Sequence, residues 1–286
     1  MKIKQFVVFL LLVASGLTEA NALTFGDALK KREISYQVVA IPGPRRMLLK
    51  IKNLLHRERR VELEAGRFFH HSSSTQPFVI SRPVAIDLDP GEEREIPIRA
   101  YCGFASAKAP LVGQEFKTTD LGSKNLCDVL NMMSKYHIVS ENLYQDIIWF
   151  YTNKFNVATI YTTDVDGALL GMVQKYICEK EGLKLPKYNL NYAPSASGDV
   201  LEFSGRPETI VGKFELKLEQ RTDLHVKVLD AQGKQVELVE VHVDQPAGEI
   251  EIPMAIGISN YKLGDYTICV SDEHGNIISS MPVTVS

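Results

Sequence analysis

The chain has 286 residues, 45% of them hydrophobic and 23% charged, with a net charge of -3. Domains usually run about 100–200 residues, so this length predicts two, each able to bury a core. The slight acidity excludes the basic footprint of a nucleic-acid binder. The densest basic run, His56-Arg57-Glu58-Arg59-Arg60, reads as a solvated turn.

The N-terminus reads as an export signal. Lys2 and Lys4 form a charged opening, Phe6 to Ala14 an apolar stretch, and Ala20-Asn21-Ala22 a small-residue cleavage site. Residues 1–22 are therefore expected to be removed, leaving a mature chain from Leu23. The apolar stretch is shorter than the ~20 residues of a membrane span, and no transmembrane segment is expected elsewhere. The expected location is periplasmic, cell-surface or extracellular. Cys102, Cys127, Cys178 and Cys269 all lie in the mature part. An oxidising compartment would permit disulfides, and four cysteines allow three full pairings, among which spacing does not choose.

Leu23 to Lys31 reads as a short helix or arm. A β series follows: Ile34 to Ile41, Met47 to Ile51, alternating Val61 and Leu63, then Gly66-Arg67-Phe68-Phe69. A Ser-rich loop at Ser72 to Ser74 leads to Phe78-Val79-Ile80 and to Val84, Ile86 and Leu88. Asp89-Pro90-Gly91-Glu92 is a turn, with proline presetting φ and glycine accepting positive φ. Ile96, Ile98, Ala100 and Cys102 then share one strand face.

The character changes after Pro110. Leu126, Val129, Leu130 and Met133 recur at helical spacing. Ser140 is a candidate N-cap for a helix through Asn153. Thr163 or Asp164 is expected to cap a third helix over Gly167 to Glu181, ended by Gly182. Residues 23–183 are thus predicted as a β-rich domain with its helical part at 113–182. Residues 184–198, with two prolines and several Asn and Ser residues, are predicted as a linker. From 199 to 286 alternation dominates: Phe214, Leu216, Leu218; Leu224, Val226, Val228; Val239, Val241, Val243; Tyr266, Ile268, Val270; Met281, Val283, Val285. Such spacing predicts a sandwich of about seven strands. The fold class is mainly β with a helical insert (α+β).

Two resemblances follow from particular residues. The stretches G-K-F-E-L-K-L, L-H-V-K-V-L-D-A-Q-G-K-Q-V, Q-P-A-G-E and L-G-D-Y-T-I-C-V-S-D-E-H-G-N resemble the bacterial Ig-like modules of flagellar hook-capping proteins and of type IX secretion sorting domains. That resemblance implies an Ig-like β-sandwich in an exported bacterial protein. Sorting domains usually close on a basic strand, whereas this chain ends M-P-V-T-V-S. Tyr101-Cys102 at a strand end and helical Tyr144-Gln145-Asp146-Ile147-Ile148-Trp149 are similar to the Cys–Gln pair of the thioester domains of bacterial surface adhesins. In that family Thr stands where Tyr144 does here, and Ala where Ile147 does. The similarity implies a thioester between Cys102 and Gln145.

The residues themselves also allow a plainer account, in which Cys102 belongs to the core and Gln145 bonds backbone. A disulfide from Cys102 to Cys127 is the best local pairing; it would close a loop of about 25 residues, worth about 3 kcal/mol on the chain-entropy account. Cys178 and Cys269 read as buried thiols. His70 and His71 point to a loop. His225 and His242 lie on neighbouring predicted strands, where a metal site is a minor alternative. Trp149, Phe150 and Tyr151 read as core, with an aromatic binding platform as the minor alternative. No Ser/His/Asp spacing, defensible carboxylate pair, P-loop or dinucleotide glycine pattern is present, and no cofactor is expected. The sequence therefore predicts an exported, non-enzymatic interaction protein acting on protein partners or cell-surface ligands. A covalent adhesin using Cys102 and Gln145 is the alternative, and a hydrolase a third.

Overall fold

The computed structural model describes residues 22–43, 46–71, 76–107, 111–194 and 203–285. The expected leader lies outside them but for Ala22, as do Ser72 to Ser74, Pro110 and 195–198 of the expected linker. The chain is mainly β with a helical insert.

The first half holds β1 (Leu23–Thr24), α1 (Phe25–Lys30), β2 (Ile34–Ala40), β3 (Arg46–Asn53), β4 (Arg59–Leu63), β5 (Arg67–His70), β6 (Phe78–Ile80), β7 (Val84–Leu88), β8 (Glu93–Cys102) and β9 (Glu115–Leu121). Six of these strands close into a barrel in the order β2-β3-β8-β6-β5-β9. Closure is made by β9 returning to β2, with Phe116 opposite Val38. A separate sheet, β1-β4-β7, packs on the same core. Alternation supplies that core: Val38, Met47, Leu49, Ile51, Phe69, Ile98 and Phe116 meet Val61, Leu63, Ile86 and Leu88. Each such side chain contributes roughly 1.5–3 kcal/mol on burial. His70 falls in β5 rather than in a loop.

Three helices follow: α2 (Lys124–Lys135), α3 (Glu141–Asn153) and α4 (Gly167–Glu181), with a 3-10 turn at Val157–Thr159. Side chains cap each one. Ser123 accepts from Leu126 N–H, Ser140 from Leu143 N–H, and Asp166 from Ala168 and Leu169 N–H. The cap of α4 is thus Asp166, not Thr163 or Asp164. Asp164 instead accepts the Ser140 hydroxyl at 2.8 Å, tying the start of α3 to the loop before α4. The helical part begins at Lys124, because β9 occupies the first residues of the expected 113–182 range. Only Phe116 of β9 is fully buried, so that strand carries little apolar alternation.

The helices cover the outer face of β6 and β8. Val79 and Tyr101 join Leu126, Val129, Leu143, Ile147, Val173 and Ile177 in a second core. Their strand neighbours Phe78, Ile80 and Ala100 point the other way, into the barrel. Both strands therefore carry a core on each face, which explains the continuous apolar run Phe78-Val79-Ile80.

Among the described residues, the second half is a two-sheet sandwich of seven strands. They are β10 (Tyr188–Pro194), β11 (Phe203–Leu218), β12 (Thr222–Asp230), β13 (Gln235–Gln245), β14 (Gly248–Gly257), β15 (Gly264–Ser271) and β16 (Ile277–Val285). One sheet runs β10-β11-β14 and the other β13-β12-β15-β16. Their inner faces share one core that includes Leu190, Phe214, Ile252, Leu224, Val226, Ile268 and Met281. Much of the expected linker is therefore a strand. Tyr188 and Leu190 are buried, and the intervening Asn189 and Asn191 are the polar half of an ordinary alternation. Buried Gln174 of α4 donates to Ile160 O at 2.8 Å and to Asn189 Oδ1 at 2.6 Å, joining the helices to β10. No helix among the described residues is long and apolar enough to cross a membrane.

Candidate functional site

β8 ends where α3 crosses it, and this brings Cys102 and Gln145 together. Cys102 N–H donates to Gln145 Oε1 at 3.2 Å, and Gln145 Nε2 donates back to Cys102 O at 2.8 Å. Gln145 is buried and Cys102 half-buried. The amide thus extends the ladder of β8 by one side-chain rung. Two more side chains on the same helical face continue the contact, at seven and eight residues on. The Thr152 hydroxyl donates to Gly103 O. Asn153 donates to Gly103 O at 3.4 Å and accepts from Ala105 N–H at 3.3 Å. Gly103 N–H is held from the other side by Pro77 O at 2.7 Å.

A charged rim flanks this seam. Tyr101 OH donates to Glu141 Oε2 at 3.0 Å, and Glu141 pairs with Arg99. The Tyr101 and Tyr144 rings lie 5.7 Å apart. Arg82 donates to Tyr144 OH at 3.1 Å and to Ile138 O at 2.8 Å, with its guanidinium over the Tyr144 ring. Burial pushes the Tyr144 hydroxyl up, with Arg82 acting against it. Arg82, Glu141, Thr152 and Asn153 join the seam without having been marked as site residues by the sequence. Thr152 and Asn153 were within reach, since their spacing from Gln145 is helical. Arg82 is distant in sequence and carried no signal.

No disulfide joins Cys102 to Cys127, and all four cysteines are thiols. The physical reason is layering. Cys102 packs against the barrel core. Cys127 lies on α2, its thiol donating to Gly122 O at 3.6 Å and facing Gly66, where a Cβ would come within 2.6 Å of the sulfur. Burial pushes the thiols of Cys127, Cys178 and Cys269 up. His225 and His242 lie on paired strands but one position out of step, opposite Val241 and Leu224. They therefore sit on opposite faces of the sheet and share no ligand position. No group of three metal-ligating side chains occurs among the described residues. Trp149 and Phe150 are buried and Tyr151 half-buried.

The other unusual feature is β13, the end strand of its sheet among the described residues. Bulges shift its register three times against β12. As a result Glu237, Glu240 and His242 stand opposite the inward residues Val228, Val226 and Leu224. Leu238 and Val241 stand opposite the outward Lys227 and His225, and Val236 and Val243 are exposed at the bulges beside them. These four aliphatics are between 43% and 65% exposed. Of the alternating valines predicted for this strand, only Val239 packs on the core. Glu237 accepts the Tyr261 hydroxyl, and Glu240 pairs with His242 at 3.2 Å.

No family model and no curated protein matches the chain. Among solved structures, it is similar to a β-glucosidase from Kluyveromyces marxianus, at 8% identity over 84% of this chain and 44% of that one, with a TM-score of 0.22. This chain thus spans less than half the length of that enzyme, and a likeness so slight carries no argument about fold or chemistry.

Proposed function

We propose that the protein is an exported, non-enzymatic interaction protein that engages protein partners or cell-surface ligands. The observation that carries this is the aliphatic strip of β13. A strand that turns Val236, Leu238, Val241 and Val243 to solvent on a sheet end is a surface of the kind that partners cover. The leader-like N-terminus supports the exported location, and the seven-stranded second half is compatible with the Ig-like modules it resembles. Pull-down from bacterial envelope fractions, with the oligomeric state measured alongside, tests the proposal. A chain that stays monomeric and partnerless at cell-like concentration ends it.

A second reading is favoured by the meeting of Cys102 and Gln145. Here the chain is a covalent adhesin. Cys102 Sγ bonds to Gln145 Cδ as the carbon–nitrogen bond breaks, and the thiol proton leaves with the amide nitrogen as ammonia. A surface amine or hydroxyl then opens the thioester, returning the thiol and leaving an amide or ester to the target. The intact mass of the purified chain would fall by the mass of one ammonia, and Cys102→Ala would abolish that deficit. An undiminished mass ends this reading. The amide–backbone clamp then stands as a purely structural device.

A further inference from the structure

We infer that the occupant of the β13 strip is a second copy of this chain, paired edge to edge. The inference rests on the interaction reading above and names its partner. Between the bulges of β13, one run is in continuous register with β12: Glu240, Val241 and His242, opposite Val226, His225 and Leu224. Its outer edge carries no further strand among the described residues. A two-fold antiparallel pair must place residue i of one copy opposite j of the other, and j opposite i. Centred on Val241, that rule sets Glu240 against His242 of the second copy, twice, and Val241 against its own counterpart. Each Glu240 carboxylate, which pairs with its own His242 at 3.2 Å, then stands opposite the other copy's His242 imidazole on one face, and the two aliphatic strips join on the other. The run is thus self-complementary in its carboxylate–imidazole pairs and in apolarity.

The bulges agree with this arrangement. Bulges and charges on an edge strand limit open-ended pairing. Those on either side of Glu240–His242 confine contact to a short stretch, and a two-fold pair uses up both edges. The result is a closed, reversible dimer rather than a filament.

Sedimentation velocity of the purified full chain over a wide range of concentration tests this. Wild type is expected to show a reversible monomer–dimer equilibrium. Glu240→Lys removes the carboxylate opposite each His242 imidazole, and His242→Glu sets acid against acid. Each should weaken association about tenfold, since both opposed pairs are disrupted. The double swap Glu240→Lys/His242→Glu restores complementarity and should recover the dimer. All these side chains lie on an end strand, and circular dichroism checks that each variant folds. A wild-type chain that sediments only as monomer overturns the pairing, and a double swap no better than the single variants overturns its register. The envelope pull-down separates the two claims. A monomeric chain that captures another protein ends self-pairing and leaves the interaction reading standing, whereas one that captures nothing ends both.

Discussion

Gln145 commits both arms of its amide to one backbone residue. Gln145→Ala removes the two bonds to Cys102 and should cost about 1–3 kcal/mol in urea unfolding. Gln145→Glu keeps the acceptor but sets an anion against Cys102 O, and should cost more. The meeting of these two residues was legible, because a strand end and a helix face were both marked by their spacing. What the amide does there was not, since a bond to backbone leaves no trace in the partner's identity. The thiols make a separate prediction. Burial holds those of Cys127, Cys178 and Cys269 above the ordinary thiol range. A group whose pKa is raised by folding lends stability that is complete below the unfolded value and is lost as pH rises through the folded one. The urea midpoint should therefore be level from pH 7 to 8 and fall beyond about pH 9. Cys178→Ala/Cys269→Ala should flatten the first part of that fall. Tyr192, pushed up to about 12 by burial, extends it at higher pH.

Helix ends give the sharpest predictions at the scale of elements. Both α3 and α4 end on a left-handed residue, but α3 uses Lys154 at φ 56 and α4 uses Gly182 at φ 65. A side chain in that conformation costs about 1 kcal/mol or more, and glycine avoids it. Lys154→Gly should therefore stabilise the protein by roughly 0.5–1 kcal/mol, although it deletes a side chain. Gly182→Ala should destabilise by about 1 kcal/mol. A Cβ at Gly182 meets nothing within 4 Å, so the cost there is conformational rather than steric. Thermal unfolding of the two variants checks both signs. Elements whose apolar period matched their burial were readable, as with α2, α3 and α4. Two strands escaped for physical reasons. In β10 the Asn residues read as breakers while Tyr188 and Leu190 did the burying. In β13 bulges reversed the faces, and no single-chain pattern announces a bulge.

At the scale of the molecule, the boundary between the halves lies before β10, not after it. A fragment of residues 184–286 keeps all seven strands, whereas one of 199–286 lacks Tyr188 and Leu190 and one edge of the three-stranded sheet. Losing two buried side chains of that size removes about 5 kcal/mol or more, close to the whole stability of a domain. The longer fragment should unfold cooperatively in urea. The shorter one should not, and equal behaviour of the two would return the boundary to 198. The mainly-β class was legible from alternation and turn residues alone. The barrel was not, because its closure depends on Phe116 meeting Val38, and neither residue identifies the other.

The two-faced strands β6 and β8 also bear on the order in which the protein can be made. A chain grows from its N-terminus at roughly 5–20 residues per second. The barrel cannot close until Phe116 has emerged to meet Val38, so its strands wait on a contact of high sequence separation. Even then Val79 and Tyr101 stay bare until Leu126 to Ile177 arrive to cover them. For several seconds of synthesis the nascent barrel thus carries a greasy outer wall. Ribosome-bound chains stalled after β9 should bind holdase chaperones tightly, and chains stalled beyond α4 should release them.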